Sequence, residues 1–194
     1  MALAPNRSRQ FKTALVGDTA VGKTSIRRSY MGKSFISSHI ATLGVDFSQK
    51  NVEHEDAMVR LTLWDLAGEQ SYENVRKLYY DGCHSVIFVY SVIDKKSFKN
   101  ATLWLAEVNK CVKPMPPLAI LGNKIDLRES RPQSEVVTSS QGKEYADALS
   151  AKMKIPVVFR ETSALTGENI EDVFDDLITV MLKKNPIKMN ANRY

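Results

Sequence analysis

The amino-acid sequence predicts a doubly wound α/β fold with a mostly parallel six-stranded sheet and one antiparallel edge strand. Three observations support this prediction. Short apolar runs that suit buried strands alternate with longer segments in which apolar residues recur every three or four positions. The first run leads directly into the glycine-rich stretch 17–24, which is followed by a helical pattern. Polar motifs follow later strands, at the edge where such sheets bind ligands.

The composition fits one globular domain. The 194 residues are 43% hydrophobic, which suffices for a core but leaves no room for a second full domain. The net charge of +5 comes from scattered residues, so we expect a mixed solvated surface and no nucleic-acid partner. Cys83 and Cys111 stand in apolar surroundings and are predicted to be buried free thiols. Without a secretory signal or a membrane-length apolar run, we expect a cytoplasmic monomer.

The predicted elements follow in chain order. Residues 1–10 are expected to be a flexible leader, 11–184 the domain and 185–194 a tail. Apolar runs predict strands at residues 11–16, 45–52, 59–64, 86–90, 118–121 and 157–159. Helical spacing predicts helices at residues 24–31, from Ser97 to before Pro114, at 139–152 and at 169–184, with Ser97 as a cap.

The second and third strands are predicted to form the antiparallel hairpin. Val59, Leu61 and Leu63 alternate with polar residues, and a polar turn precedes them at residues 53–56. Residues 33–43 have neither period and are predicted to be a mobile loop.

The stretch 17–24 fits a phosphate-binding loop. Gly17 and Gly22 allow backbone N–H groups to approach phosphate oxygens, and the helix N-terminus behind them also attracts anions. Lys23 supplies a charge for the outer phosphates, and the Thr24 hydroxyl can bind Mg²⁺. The alternative is that the two glycines only bound an ordinary turn.

Two further motifs follow predicted strands. Asp65 ends a strand, as a second metal-binding acid should, and the Gly68 N–H can approach a terminal phosphate. Asp126, in the motif at residues 123–126, could accept hydrogen bonds from the N1–H and 2-amino group of guanine, which adenine cannot match.

Taken in order with residues 161–164, these motifs resemble the Ras superfamily of small GTPases, and the resemblance covers roughly residues 10–184. Within it the chain is most similar to the Rab branch. The stretches that carry this similarity are residues 41–47, 64–65, 78–83 and 94–98. The resemblance implies a P-loop G domain that binds GTP or GDP with Mg²⁺ and switches between the two nucleotide states.

The resemblance also implies site residues. Thr42 would join the metal only when the γ-phosphate is present, Phe35 would pack on guanine, and the Ala164 N–H would reach guanine O6. The implied nucleotide-binding residues are Asp18, Thr19, Ala20, Val21, Gly22, Lys23, Thr24, Ser25, Phe35, Thr42, Gly68, Asn123, Lys124, Asp126, Ser163, Ala164 and Leu165. The implied metal ligands are Thr24, Thr42 and Asp65, and the implied catalytic residues are Lys23, Thr42, Gly68, Glu69 and Gln70.

Partners are implied in the same way. Phe47, Trp64 and Tyr79 match the aromatic triad through which Rab proteins meet effectors, together with switch loops at residues 36–46 and 66–78. An exchange factor is expected, and a GTPase-activating protein (GAP) as a further partner. For Trp64 and Tyr79 the alternative is plain core or surface packing.

The second switch departs from the family pattern. Glu69 and Gln70 stand where the family has glutamine and then glutamate. Glutamine orients the attacking water, whereas an ionised Glu69 has no donor and adds negative charge beside the phosphate. We therefore expect slow hydrolysis and a weak GAP response. Gln70 taking over the role, and a guanine-nucleotide scaffold with negligible turnover, are the alternatives. A P-loop kinase is disfavoured by residues 123–126.

The predicted tail contains no cysteine, so the prenylated end of Rab proteins is missing from it. Either the chain is a fragment or it works unprenylated, and membrane contact stays open.

Overall fold

A six-stranded sheet forms the centre of the structure, a computed structural model that describes residues 8–35, 42, 44–55 and 57–185. The strands are β1 (Ser8–Val16), β2 (Val45–His54), β3 (Ala57–Leu66), β4 (Ser85–Ser91), β5 (Leu118–Asn123) and β6 (Val157–Thr162). The helices are α1 (Lys23–Tyr30), α2 (Glu73–Tyr80), α3 (Lys95–Lys99), α4 (Ala101–Cys111), α5 (Ser139–Met153) and α6 (Ile170–Lys184). Short 3₁₀ turns cover Gln70–Tyr72 and Ile125–Ser130.

The sheet has the predicted topology. Its strand order is β2-β3-β1-β4-β5-β6, and only β2 runs antiparallel, paired with β3 as a hairpin at the edge. The doubly wound fold class is therefore confirmed. Because the other five strands are parallel, their carboxyl ends meet at one edge of the sheet, where ligands of such folds bind.

Each face of the sheet is covered by helices, which gives two apolar cores. On one face, Ile26 and Tyr30 of α1 pack with Phe174 and Leu177 of α6. On the other, apolar residues of α2, α4 and α5 pack on β4 and β5. The seven residues of β4 are all buried, because this strand lies inside the sheet with helices on both faces.

Some predicted boundaries were wrong. β1 begins at Ser8, three residues inside the expected leader, because the strand continues to pair with β3 from Ser8 opposite Met58. The helix expected from Ser97 to before Pro114 is divided at Asn100 into two helices, of which α4 begins at Ala101 and α3 begins at Lys95. The cap of α3 is Asp94, whose carboxylate accepts from the N–H groups of Lys96 and Ser97.

Two other features differ from the sequence-based expectation. The segment after residue 66, for which no element was predicted, contains α2. Cys83 is a buried free thiol as expected, and burial raises its pKa to about 11, but Cys111 is partly exposed. Cys111 lies in the last turn of α4, where the side chain is only partly covered.

Several predictions fall on residues outside the described ranges. These are the leader over residues 1–7, most of the loop at 33–43 and the tail from residue 186. Among the helices of the described ranges, none combines the length and apolarity that a membrane crossing requires.

Candidate functional site

The loop between β1 and α1 holds Lys23 in a buried position. Lys23 is 6% exposed, and its Nζ donates to the backbone oxygens of Gly17 and Asp18, each at 2.8 Å. Burial lowers the pKa of Lys23 to about 8, although the charges of Asp65 and Asp18 act in the opposite direction. Both contacts are neutral carbonyl groups, so a bound phosphate would supply the counter-charge that they lack.

Two glycines fix the shape of this end of the site. At Gly22 the backbone has φ of 104°, and a Cβ would lie 2.2 Å from the Nδ2 atom of Asn123. At Gly68 a Cβ would lie 2.4 Å from the backbone nitrogen of Thr19. A side chain fits at neither position, so the second switch and the base motif both pack directly against the phosphate loop.

Three oxygen-bearing side chains predicted as metal ligands meet beside Lys23. The Thr24 hydroxyl donates to Asp65 Oδ2 at 2.5 Å and lies 3.0 Å from the Thr42 hydroxyl. Asp65 is fully buried at the end of β3. Burial raises its pKa, while the hydrogen bond from Thr24 and the charges of Lys23 and Arg27 oppose the rise.

This arrangement fits Mg²⁺. In the described part of the chain, Asp65 Oδ1 is buried and has no hydrogen-bond partner, so one lone-pair-bearing oxygen is available to a cation or its water shell. Within the same residues there is no group of three or more acids, histidines or cysteines that could hold a metal ion by itself. Mg²⁺ takes oxygen ligands and typically binds through one or two protein side chains plus substrate phosphates.

Asn123, at the end of β5, joins the two halves of the site. Its Nδ2 donates to the Val21 backbone oxygen at 2.9 Å. Its Oδ1 accepts from the Ala164 N–H at 3.1 Å and from the Thr162 hydroxyl at 3.3 Å. Asn123 is 1% exposed. One side chain therefore ties the phosphate loop to the segment that follows β6.

Asp126 lies beside that segment. The Ser163 hydroxyl donates to Asp126 Oδ1 at 2.6 Å and accepts from the Thr166 N–H at 3.1 Å. Lys124 has a left-handed backbone with φ of 70°, and burial lowers its pKa while Asp126 opposes the change. The predicted base-binding residues after β5 and β6 are thus brought together, and Asn123 links them to the loop at 17–24.

The remaining predicted residues surround these contacts. Val21 is buried and Ser25 is half-buried in the first turn of α1. Among these remaining residues, the ones with exposed side chains are Thr19, Ala20, Phe35, Glu69, Gln70 and Leu165. For them the structure supplies positions without a contact that assigns a role, so those roles stay predictions.

Asp18 has a use that the sequence did not suggest. Its two carboxylate oxygens accept from Asn100 Nδ2 and Trp104 Nε1, each at 2.7 Å. The carboxylate therefore anchors the phosphate loop to the start of α4. Only the helical spacing of Asn100 and Trp104 could have suggested that they share a face, and nothing in the sequence places that face beside Asp18.

Arg76 of α2 is a second residue that sequence reasoning missed. It is buried, and its NH1 donates to the backbone oxygens of Ala67 at 3.0 Å and Glu69 at 2.5 Å. Glu107 of α4 accepts from its Nε and NH2 at 2.9 and 2.8 Å. The guanidinium also lies 4.5 Å from the centre of the Trp104 ring. These contacts fix the backbone on both sides of Gly68, while the Glu69 side chain stays exposed.

The three aromatic residues predicted to meet effectors form one stack. The ring centres of Phe47 and Trp64 are 5.1 Å apart, and those of Trp64 and Tyr79 are 5.0 Å apart. Phe47 and Leu78 of α2 are exposed. The stack joins β2, β3 and α2 into one partly apolar surface.

Comparison with known proteins identifies relatives of this architecture. Residues 12–183 match the family described as Ras family. The GTP-binding protein YPT1 of Saccharomyces cerevisiae is 37% identical over 182 residues, which cover 94% of this chain and 83% of YPT1. The Ras-related protein RIC1 of Oryza sativa is 37% identical over 164 residues, which cover 84% of this chain and 76% of RIC1.

A third relative agrees. The Ras-related protein RABD1 of Arabidopsis thaliana is 33% identical over 183 residues, which cover 94% of this chain and 84% of RABD1. The family match, these relatives and the geometry of the site lead to one conclusion. The chain belongs to the Ras superfamily of small GTPases and, within it, to the Rab branch, whose members bind GTP or GDP with Mg²⁺ and hydrolyse GTP.

Proposed function

We propose that this chain is a guanine-nucleotide switch that recruits effectors in membrane traffic or signalling and that hydrolyses GTP slowly. The observation that carries the proposal is the position of Glu69, directly after a Gly68 that packs on the phosphate loop. The catalytic glutamine of the family is expected at that position, and an acid takes its place here.

At the phosphate end, Lys23 would contact the outer phosphates, and Thr24, Thr42 and Asp65 would hold Mg²⁺, directly or through water. The ion, when bound, would neutralise negative charge on the phosphates. The 3.0 Å approach of the Thr24 and Thr42 hydroxyls supports this grouping, because it brings the first switch to the metal residues.

At the base end, Asp126 would accept hydrogen bonds from guanine N1–H and the 2-amino group. Ser163 supports that role because its hydroxyl bond at 2.6 Å holds the carboxylate in place. The Ala164 N–H would donate a bifurcated hydrogen bond to guanine O6 and to the Asn123 side-chain oxygen. Phe35, Lys124 and Leu165 would line the rest of the base site.

Slow hydrolysis follows from the chemistry of Glu69. A glutamine amide can donate to the γ-phosphate and accept from the attacking water, whereas an ionised carboxylate has acceptors only. The hydrogen bonds from Arg76 hold the backbone of residues 67–69. Gln70 therefore cannot move into the position of Glu69 unless that backbone shifts.

Single-turnover GTP hydrolysis tests the proposal. We expect Glu69→Gln to raise the rate about ten-fold, because it restores a donor beside the developing charge. Glu73→Gln is the matched control, since it makes the same chemical change four residues later, at the start of α2, where the carboxylate pairs with Lys77 at 2.7 Å. Equal rates for the wild type and Glu69→Gln would contradict the proposal.

Two further outcomes separate the alternatives. If Gln70→Ala slows hydrolysis more than Glu69→Ala does, Gln70 carries the role. If the wild type releases no phosphate while it binds GTP, the chain is a nucleotide-holding scaffold, a function that the acid at Glu69 also favours.

The partners follow from the same proposal. Effectors would bind the stack of Phe47, Trp64 and Tyr79 together with the two switch loops, and an exchange factor and a GAP would act on the nucleotide state. The exposed face of Phe47 supports this use of the stack. We further propose a monomer that works in the cytoplasm.

A further inference from the structure

Arg27 of α1 places a buried positive charge beside the residues proposed to hold the metal. It is 7% exposed and lies one helical turn after Thr24. Its Nε is 3.6 Å from Asp65 Oδ2, which is also the oxygen that accepts from Thr24. A guanidinium keeps its proton under all ordinary conditions, so this charge is permanent.

The other side of the guanidinium is held by β2. Its Nη1 donates to the Ser48 hydroxyl at 2.6 Å, and its Nη2 forms an ion pair with Asp46. In the β2–β3 register Asp46 lies directly opposite Asp65. Arg27 is therefore shared between two neighbouring carboxylates, one buried at the metal site and one on the strand that follows the first switch.

The contacts with the two carboxylates are not equivalent. Asp46 is hydrogen-bonded to Arg27, whereas the Nε of Arg27 is buried and makes no hydrogen bond among the described residues. The Asp46 side chain is 58% exposed, and that of Asp65 is fully buried. Because buried charges are screened less than exposed ones, Arg27 acts on Asp65 more strongly than the longer distance suggests.

A fixed positive charge beside Asp65 competes with a cation for the same carboxylate. Asp46 reduces that competition, because its opposite charge offsets Arg27 and holds the guanidinium toward β2. We infer that Arg27 is a positioning residue that lowers the affinity of the Asp65 site for Mg²⁺. Asp46 determines the size of that decrease. The inference rests on the proposed assignment of Thr24 and Asp65 as metal-holding residues.

Substitutions of Arg27 and Asp46 should then change the metal affinity in opposite directions. Arg27→Met removes the positive charge but keeps an unbranched apolar stem in the core, and it leaves Asp46 as an added negative charge near the site. Asp46→Asn leaves the guanidinium without its compensating charge. If the ion pair were purely structural, both variants would have a lower folding stability. Their metal affinity would then be unchanged, or it would shift in the same direction in both.

The experiment is a titration of the full chain, loaded with GDP, with Mn²⁺, followed by the electron paramagnetic resonance signal of the free ion. We expect Arg27→Met to bind Mn²⁺ about ten-fold more tightly and Asp46→Asn about three-fold more weakly, as charges at these distances imply. The double variant should lie between them. The Mg²⁺ concentration that halves the rate of GDP release should shift in the same directions.

Arg28→Met is the matched control, because Arg28 is the next residue of α1 and donates to the Ser34 backbone oxygen, away from Asp65. It should leave Mn²⁺ affinity within two-fold of the wild type. Shifts of the same sign for Arg27→Met and Asp46→Asn, or shifts below two-fold for both, would overturn the inference.

Thr24→Ala separates this inference from the assignment beneath it. If Thr24→Ala weakens Mn²⁺ binding and Arg27→Met changes nothing, only the inference about Arg27 fails. If Thr24→Ala binds Mn²⁺ as the wild type does, the metal assignment is wrong and the inference falls with it.

Discussion

The base end and the phosphate end of the site differ in how far their polar side chains are hydrogen-bonded within the protein. At the base end, Asn123 hydrogen-bonds to Val21, Thr162 and Ala164, and Ser163 holds Asp126. At the phosphate end, the buried Lys23 contacts only backbone carbonyl groups among the described residues, and one oxygen of the buried Asp65 has no hydrogen-bond partner there.

This difference means that the base end contributes mainly to folding stability and the phosphate end mainly to nucleotide binding. Bonds within the base end stabilise the folded chain whether or not a nucleotide is present. The charges at the phosphate end cost stability without a ligand, because Lys23 is buried against neutral carbonyl groups and the burial of Asp65 is only partly offset by an ion pair with Arg27 at 3.6 Å. One oxygen of Asp65 also has no hydrogen bond among the described residues. Changes at the base end should therefore reduce the free energy of unfolding, and changes at the phosphate end should reduce nucleotide binding.

The largest effect on stability is expected for Asn123→Ala. The change leaves the Val21 oxygen, the Ala164 N–H and the Thr162 hydroxyl without their partner inside the protein. We expect the free energy of unfolding to fall by about 3 kcal/mol, measured by urea denaturation in the absence of nucleotide. Asn109→Ala, at an exposed position of α4, is the control and should change it by less than about 0.5 kcal/mol.

Lys23→Met tests the opposite end. It should abolish detectable nucleotide binding, yet at pH 7 the nucleotide-free protein should be at least as stable as the wild type. The pKa of Lys23 is about 8 in the folded chain and near 10.5 in the unfolded one. Between these values the unfolded chain binds more protons, so the wild type gains stability as pH rises.

The measurement is the difference in unfolding free energy between the wild type and Lys23→Met at pH 7 and pH 10. The wild type should gain about 2 kcal/mol relative to the variant over this range, while groups common to both proteins cancel. Lys143→Met removes an exposed lysine of α5 and should show no such trend. A variant less stable than the wild type at pH 7 would break the comparison between the two ends.

The smallest expected effect is that of Ser163→Ala. It removes the bond to Asp126 and the acceptor for the Thr166 N–H, which should cost about 1 kcal/mol of unfolding free energy. Affinity for GDP should fall a few-fold as well, because Asp126 loses its support. Calorimetric titration with GDP and with ADP measures this, and a loss of affinity without any loss of stability would show that Ser163 serves binding alone.

Sequence reasoning found the strands and the motifs at their ends because each depends on neighbouring residues. Alternation in β3 identified the hairpin, and the glycines at 17 and 22 identified the loop. It placed the cap of α3 wrongly, because Asp94 and Ser97 both suit a helix start and only the backbone decides between them. It also missed α2, because the helix is short and its two buried residues are Arg76 and Tyr80, which are not the aliphatic residues that usually mark a buried helix face.

The sequence by itself determined the order of the six strands and most of the helices, and it predicted the phosphate loop and the residues proposed to select guanine, since these follow from local spacing and side-chain chemistry. The tertiary structure alone decided that Asp18 binds α4, that Arg76 holds the second switch and that Arg27 lies between Asp46 and Asp65. The physical reason is that these side chains are placed by partners distant in the chain, with Asp18 bound to Asn100 and Trp104, Arg27 to Asp46 and Asp65, and Arg76 to Glu107. A charged side chain carries no local sign of such a partner.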